Sequence, residues 1–153
     1  MIEIGYLVDH LECIPTLVVW FRAQWPVYYA DSTTAEMAED FLEDANRDEI
    51  PVRLVAFADG ELAGTIILRD QATWTLPDAC PGLGGLLVAE GFRGRGIGTE
   101  LVKAGMDVAR DLGCKSVFAT TVAARGILER LGWELVREVS HGEELLLYGF
   151  EIE

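Results

Sequence analysis

One stretch constrains the fold more than any other, residues 85–112, which read GLLVAEGFRGRGIGTELVKAGMDVARDL. It begins with a short apolar run, Leu86–Val88, of the kind that forms a buried strand. Four glycines follow between positions 91 and 98, and from Thr99 to Leu112 apolar residues recur every three or four positions, as in an amphipathic helix. Gly113 is typical of a helix C-terminus. The stretch therefore predicts a strand, a glycine loop and a helix in direct succession.

The end of this loop is suited to binding an anion. The first amides of a helix have no intrahelical partners, and the helix dipole adds partial positive charge there. Gly94, Gly96 and Gly98 leave backbone amides uncovered, while Arg93 and Arg95 add positive charge. A phosphate or pyrophosphate group is the expected ligand.

Hydrophobic patterns divide the rest of the chain into helices and strands. Residues 1–153 are expected to form one domain, because half of them are hydrophobic and can build a core without disulfides. Helices are predicted at Leu11–Gln24, Thr33–Ala45 and Ala123–Leu131. Further strands are predicted at Ile2–Val8, Val52–Ala58, Leu62–Leu68, Ser116–Thr121, Glu134–Val139 and Glu144–Phe150.

Local signals support these boundaries. Asp9 is a candidate N-cap for the first helix, and Thr33 with Glu36 forms a capping-box pattern. The pair at positions 59 and 60, Asp-Gly, predicts a hairpin, and His-Gly at 141 and 142 predicts another turn. The strand, helix and strand around residues 85–121 predict a parallel crossover. Residues 70–82 resemble a loop, in which Trp74 and Asp78 are candidate pocket residues.

Composition limits the class of protein. Cys13, Cys80 and Cys114 show neither a metal-ligand spacing nor a disulfide pattern, so we expect no metal and a reducing, cytoplasmic environment. The N-terminus lacks the pattern of a signal peptide, and the longest apolar stretch, near Ile14–Phe21, is too short to span a bilayer. A net charge of −14 argues against nucleic acid or an anionic membrane as a partner.

The negative charge is unevenly distributed. Residues 1–82 carry four basic and fifteen acidic side chains, a net charge of −11, whereas residues 83–153 carry eight and eleven, a net charge of −3. This surplus is typical of a solubilising surface, and it also favours a cationic substrate on the acidic half.

Three anion-binding chemistries compete for the glycine loop. A P-loop requires Gly-Lys-Ser/Thr at its end, whereas here Thr99 follows Gly98 directly. A dinucleotide fingerprint requires an acidic residue near the end of the next strand, which here ends in Thr120 and Thr121, and it belongs to an opening βαβ unit. Coenzyme A is the third candidate.

The loop resembles the motif of the GCN5-related N-acetyltransferase (GNAT) family, Arg/Gln-x-x-Gly-x-Gly/Ala after a short apolar strand. Residues Arg93 to Gly98 match every specified position. The later segment Glu129 to Trp133, Glu-Arg-Leu-Gly-Trp, is also similar to a family segment, and the order of predicted elements agrees over nearly the whole chain. The resemblance implies an α/β GNAT fold, a mixed, mostly antiparallel sheet of six to seven strands flanked by about four helices.

The resemblance also implies acetyl-CoA as cosubstrate. In the family, amides after the glycine loop hold the pyrophosphate, and the preceding strand pairs with the pantetheine arm through its backbone. The residues that carry over are Leu86, Leu87, Val88, Arg93, Gly94, Arg95, Gly96, Ile97, Gly98 and Thr99. The backbone amide of Val88, or of its neighbour, is then the candidate donor to the oxyanion that develops during acyl transfer.

The acceptor side departs from the family pattern. The tyrosine that often acts as general acid before the Glu-Arg-Leu-Gly-Trp segment is Leu128 here, and an asparagine often found seven residues earlier is Thr121. Leucine cannot donate a proton, so either the thiolate leaves without this acid or the domain has lost catalysis. The substitute acids considered are Tyr28, Tyr29 and Tyr148, and the possible bases are Asp78, His141 and Glu144. None of these bases can be assigned.

Three functional hypotheses follow. The first is a cytoplasmic N-acetyltransferase that moves an acetyl group to a primary amine, a cationic small molecule or a protein N-terminus, in a ternary complex. The second is a non-catalytic acyl-CoA sensor or interaction domain of the same fold. A dinucleotide-dependent enzyme is the third. A homodimer is left open.

Overall fold

The computed structural model describes residues 1–72, 81–121, 124–140 and 144–152. The helices are α1 (Ile14–Gln24), α2 (Thr34–Glu43), α3 (Ile97–Asp111) and α4 (Arg125–Arg130). The strands are β1 (Ile2–Tyr6), β2 (Val52–Ala58), β3 (Glu61–Arg69), β4 (Gly82–Val88), β5 (Ser116–Thr121), β6 (Glu134–Ser140) and β7 (Glu144–Glu151). Short 3-10 turns lie at Leu7–Asp9, Leu11–Cys13 and Glu90–Phe92. Within these ranges, no helix combines the length and apolarity needed to cross a bilayer.

The strands form one sheet in the order β1-β2-β3-β4-β5-β7-β6. Neighbouring strands are antiparallel except β4 and β5, which are parallel. A parallel pair needs a crossover connection, and α3 supplies it. The predicted α/β architecture, a mixed and mostly antiparallel sheet with four α-helices in the described part of the chain, is therefore confirmed.

Helices cover both faces of the sheet. Successive residues of a strand point to opposite faces, so Leu54 of β2 packs in the cluster that contains Leu101 of α3. Its neighbour Val55 packs instead with Leu17 of α1 and Phe41 of α2. Because both faces of β2 are buried, its sequence, VRLVAFA, lacks the polar alternation of a solvent-facing strand.

Two predicted local signals are present as expected. The Thr33 hydroxyl accepts from the Glu36 N–H at 3.1 Å, and the Glu36 carboxylate accepts from the Thr33 N–H at 2.9 Å, which completes the capping box. Asp59 and Gly60 join β2 to β3 with φ values of +53° and +84°. Both residues have the left-handed conformation that a two-residue hairpin turn requires.

Two predicted boundaries were wrong. The first α-helix begins at Ile14 rather than Leu11, because a helix from Leu11 would need a hydrogen bond from the N–H of residue 15, and Pro15 has none. Asp9 consequently lies in a 3-10 turn and is not the N-cap. The fourth strand begins at Gly82, four residues before the predicted apolar run. The prediction was too short because the glycines at the start of this strand are typical of a loop.

Gly82 permits a close backbone approach at the start of β4. A Cβ atom on Gly82 would lie 2.3 Å from the backbone nitrogen of Ala72 and 2.3 Å from the carbonyl carbon of Gln71. Since these neighbours are backbone atoms, a rotamer change cannot relieve the overlap. Gly82 also pairs with Phe118 across the parallel strands.

We predict that Gly82→Ala lowers the free energy of unfolding by about 3 kcal/mol, the upper range for overpacking, as measured by urea denaturation. Gly91→Ala is the control, because a Cβ atom at Gly91 has open space around it and no positive φ. Equal urea midpoints for the two variants would contradict the close approach.

Candidate functional site

The sheet opens between β4 and β5. Their register contains one pair, Gly82 with Phe118, whereas β5 and β7 pair along all of Ser116–Thr121. The later residues of β4 therefore have no strand partner on the β5 side. This edge of β4 offers backbone groups to a ligand that can pair as a strand does.

A bulge in β4 lies beside this opening. Thr65 pairs with Leu87 and Ile67 with Gly84, so two residues of β4, Gly85 and Leu86, face one residue of β3. Gly85 has a φ of +59°, in the left-handed region that favours glycine. The bulge thus explains why a glycine occupies position 85, which the sequence analysis named only as the first residue of the stretch 85–112.

The Val88 backbone faces the opening. The Ala89 N–H donates to the Ala63 carbonyl of β3 at 2.8 Å. Because successive N–H groups of an extended strand point to opposite edges, the Val88 N–H points away from β3. The Val88 carbonyl lies on the same side and accepts from Arg93 Nε at 3.0 Å.

The glycine loop ends in an uncovered helix start. Gly94 and Gly96 have φ values of +81° and +83°, and a Cβ atom on either would meet no atom within 4 Å. Gly96 is the N-cap of α3, and its carbonyl accepts from the Glu100 N–H at 3.1 Å. The amides of Ile97, Gly98 and Thr99 precede this bond, so helix geometry leaves them available to an anion.

Tight packing joins this helix start to β4 and α4. A Cβ atom on Gly98 would lie 3.1 Å from Ile127 Cδ1 and within 4 Å of side-chain atoms of Leu86 and Val88. Leu87 points to the opposite face and packs with α1 and α2. The side chains of the apolar run therefore anchor β4 from both faces, while its backbone edge stays open.

The loop arginines lie on two sides. Arg93 reaches back to β4, as described above, whereas Arg95 lies over the Phe92 ring at 5.2 Å and 4.0 Å from the Asp59 carboxylate. Both arginines are exposed. Exposed ion pairs of this length are weak, so a bound anion that interacts more strongly with Arg95 can displace Asp59.

The position expected for a general acid is part of the core. Leu128 is 2% exposed and packs with Trp133 and Tyr148. The Tyr148 hydroxyl donates to Glu129 Oε2 at 2.5 Å, and this hydrogen bond raises the pKa of the phenol. Tyr148 is fully buried and does not line the cavity described next.

A cavity of about 730 Å³ lies on the α1 side of the sheet. It reaches the opening, because Gly85 of the β4 bulge and Thr120 of β5 line it. Its aromatic wall consists of Phe21, Trp25, Tyr28 and Tyr29. The charged residues among its described lining are Arg53, Arg69 and Asp70.

The structure brings two of the three candidate tyrosines, Tyr28 and Tyr29, to this cavity. Tyr28 is 80% exposed, whereas Tyr29 is half-buried, and burial raises the pKa of its phenol. Trp74, Asp78 and His141, and the side chain of Glu144, lie outside the described residues. Of the three predicted bases, the structure therefore places only the backbone of Glu144, at the start of β7.

Arg53 is a site residue that the sequence analysis missed. Its side chain is 5% exposed and donates to Thr65 Oγ1 at 3.2 Å. Its guanidinium carbon lies 5.1 Å from the ring centre of Phe21 and 5.0 Å from that of Phe41. Nε and Nη2 each lie 3.4 Å from Asp44 Oδ2. One signal was visible in the sequence, because Arg53 is the charged residue in the apolar strand VRLVAFA.

Burial affects both members of the Arg53–Asp44 pair. Burial lowers the pKa of the Arg53 guanidinium, and Asp44 partly opposes this shift. Burial likewise raises the pKa of the Asp44 carboxyl, against the effect of Arg53. Each charged group thus stabilises the other in an environment where both are poorly hydrated.

The fold and the site define an α/β protein with an uncovered helix start, an open strand edge and a cavity that meets that edge. The sequence profile of the Acetyltransferase (GNAT) family matches residues 14–133. The chain belongs to this family. None of the curated protein sequences matches it significantly.

Solved structures have the same fold. A GNAT-family acetyltransferase from Streptococcus pneumoniae is similar with a TM-score of 0.75 and 16% identity, over 100% of both chains. RimL, a ribosomal L7/L12 α-N-protein acetyltransferase in complex with coenzyme A, has a TM-score of 0.75 and 16% identity, over 99% of this chain and 94% of its own. An aminoglycoside 6'-N-acetyltransferase complexed with coenzyme A has a TM-score of 0.72 and 20% identity, over 97% and 96%.

We predict that Asp44→Asn lowers the free energy of unfolding by about 3 kcal/mol, because it leaves the buried Arg53 charge without its carboxylate. Urea denaturation measures this change. Asp9→Asn is the matched control, since it breaks an ion pair between Asp9 and Arg47 whose side chains are about half exposed, and little change is expected. If both variants unfold at the same urea concentration, the Arg53–Asp44 pair does not stabilise the site.

Proposed function

We propose that this chain transfers an acetyl group from acetyl-CoA to a primary amine, by direct attack of the amine in a ternary complex. One observation carries the proposal: the open edge of β4 leads into the uncovered start of α3 on one side and borders the cavity on the other. A donor and an acceptor bound at these two places meet at the β4 bulge.

The loop fits the phosphates of coenzyme A. The left-handed glycines Gly94 and Gly96 form a cradle that side chains would fill, and the amides of residues 97–99 point out of the helix start. Arg93 and Arg95 supply positive charge that is exposed and weakly paired. We assign the pyrophosphate to Arg93–Thr99.

The β4 edge fits the pantetheine arm. This arm carries amide groups, which can hydrogen-bond to Leu86–Val88 as an added strand would. The carbonyl of Val88 already accepts from Arg93 Nε, which shows that this edge can accept a donor from outside the sheet. The apolar side chains stay in the packing, so ligand binding does not compete with the core.

Acetyl-CoA supplies an activated acetyl thioester, so that the amine nitrogen bonds to the carbonyl carbon, the C–S bond breaks, and one amine proton is lost as coenzyme A leaves. The Val88 N–H, directed into the opening, is the proposed donor to the carbonyl oxygen as its negative charge grows. A thiol is acidic enough, with a pKa of about 8.5, to leave without a dedicated acid. The buried Leu128 is therefore compatible with turnover.

The amine must also lose its proton to a base. Among the described residues of the cavity wall, Asp70 is a carboxylate, whereas Tyr29 is a phenol whose pKa is raised by burial. We propose Asp70 as a candidate base, which the sequence analysis did not consider.

A non-catalytic acyl-CoA-binding domain is the second candidate function. It is favoured by Leu128, which is a core residue at the position where a family member often carries its general acid. It requires the same coenzyme A site and no acyl transfer, so activity separates the two functions.

We expect the purified protein to release coenzyme A from acetyl-CoA only when an amine acceptor is present, as measured by a thiol reagent against a panel of primary amines. The control reaction omits the amine. Tight binding of coenzyme A with no thiol release above the control for any amine would support the binding domain instead. Stronger thermal protection by NAD than by coenzyme A would exclude both functions.

We further predict that Gly96→Asp weakens coenzyme A binding by at least about tenfold, because it places a carboxylate in the phosphate cradle. Gly96→Asn is the matched control, since asparagine has the same shape, tolerates the left-handed conformation and is neutral. Isothermal titration measures both affinities, and urea denaturation verifies that both variants are folded. Equal affinities would refute the assignment of the phosphates to this loop.

A further inference from the structure

The described lining of the cavity contains two arginines and one aspartate, although the first half of the chain is strongly acidic. The first 82 residues carry only four basic side chains against fifteen acidic ones, yet two of those four, Arg53 and Arg69, line the cavity. Asp70 is the described carboxylate on its wall. The expectation of a cationic acceptor came from the charge of the whole half, which differs from that of the described lining of the cavity.

We propose that the acceptor is an amine that also bears a carboxylate, with Arg53 and Arg69 binding that carboxylate on the cavity wall. This inference rests on the proposed function, because it names the class of acceptor for the same site. It replaces the cationic acceptor of the sequence analysis with an amino acid or a similar zwitterion.

Arg53 is prepared for such a ligand. A guanidinium has five N–H groups, and the hydrogen bonds to Asp44 and Thr65 use one each on Nε, Nη1 and Nη2. One N–H therefore remains on each of Nη1 and Nη2. These two nitrogens lie 3.9 and 3.8 Å from the position that a Cβ atom on Gly85 would take. Because Gly85 has no side chain, this end of the guanidinium is left open to the cavity, which both residues line.

Arg69 is the last residue of the neighbouring strand, β3. Its Nη2 is 2.8 Å from the position of a Cβ atom on Gly84, the residue before Gly85. The two guanidinium groups therefore lie near neighbouring glycines of β4, Arg69 beside Gly84 and Arg53 beside Gly85. Burial lowers the pKa of the Arg53 guanidinium, and the positive charge of Arg69 adds to this effect. A carboxylate bound beside both groups would oppose this repulsion and could accept hydrogen bonds from both.

The remaining lining suits the rest of an amino acid. Four aromatic side chains provide an apolar wall, and about 730 Å³ accommodates a large side chain. Asp70 suits the ammonium that a zwitterion carries in solution. A carboxylate held at the bulge also fixes the orientation of the amine, which is bonded to the neighbouring carbon.

The test compares N-acetyl-L-phenylalanine and N-acetyl-L-leucine with their primary amides, because these acetylated products differ in the carboxylate and have no amine that titrates. Isothermal titration into protein saturated with coenzyme A measures binding directly. We expect each acid to bind at least about tenfold more tightly than its amide. Amides that bind as tightly as the acids, or acids that do not bind, would overturn the inference.

Three variants locate the effect. Arg69→Gln should remove most of the preference for the acid, and it is exposed enough to leave the fold intact. Arg53→Gln should do the same if it folds, and the result from Arg69→Gln stands without it. Arg137→Gln is the control, because it removes the same charge from an exposed position on β6 that does not line the cavity. A preference that survives Arg69→Gln would refute the role of that residue.

Parallel assays separate this inference from the proposed function. Acetyl transfer to amines without any preference for a carboxylate would reject the inference and keep the function. Binding of the acids without transfer to any amine would keep the carboxylate site and reject the transferase. Unchanged affinity for coenzyme A in Arg69→Gln would show that the arginine serves the acceptor rather than the phosphates.

Discussion

The loss of pairing between β4 and β5 is the constraint on which the rest of the structure depends. Backbone N–H and C=O groups need partners, and a strand edge without a neighbouring strand must find them elsewhere. Here Arg93 supplies one, by donating to the Val88 carbonyl. The same edge leads directly to the helix start after Gly96, where further amides lack partners. The unpaired groups are thus concentrated along one line through the sheet.

The two faces of the sheet have different roles along this line. On the face of α3 and α4, the helix start, Ile127 and the side chains of Leu86 and Val88 pack closely. On the face of α1 and α2, the bulge at Gly85 leaves space that becomes the cavity. Because the gap connects both faces, two ligands can meet without displacing the core.

Local chemistry explains which features the sequence predicted. The capping box at Thr33 and the hairpin at Asp59 depend on residues next to each other in the chain, and the glycine loop before α3 is equally local. The helix start at Ile14 depends on Pro15, which lacks the N–H that a helix from Leu11 would need for its hydrogen bonds. The first half of β4 was missed because its glycines serve a bulge and a close approach, which only neighbouring strands reveal.

The cavity depends on long-range contacts and could not be predicted. Arg53 is charged in the sequence, but its burial against Phe21 and Phe41 follows from the packing of two helices on the sheet. Net charge averages over a surface and does not describe one wall of a cavity, so the cationic acceptor that it favoured stays a prediction. The glycine loop is visible in consecutive residues of the sequence, whereas the cavity is lined by residues from α1, β2, β3, β4 and β5 and from the segments that follow α1 and β3.

Hydrogen exchange of backbone amides, with and without saturating coenzyme A, tests the central claim most directly. The account predicts that coenzyme A slows exchange at Val88 and at Ile97–Thr99 together, because one ligand covers the open strand edge and the helix start. The amides of β6, at the far edge of the sheet, should be unaffected. Slower exchange at the helix start with no change at Val88 would contradict a continuous site.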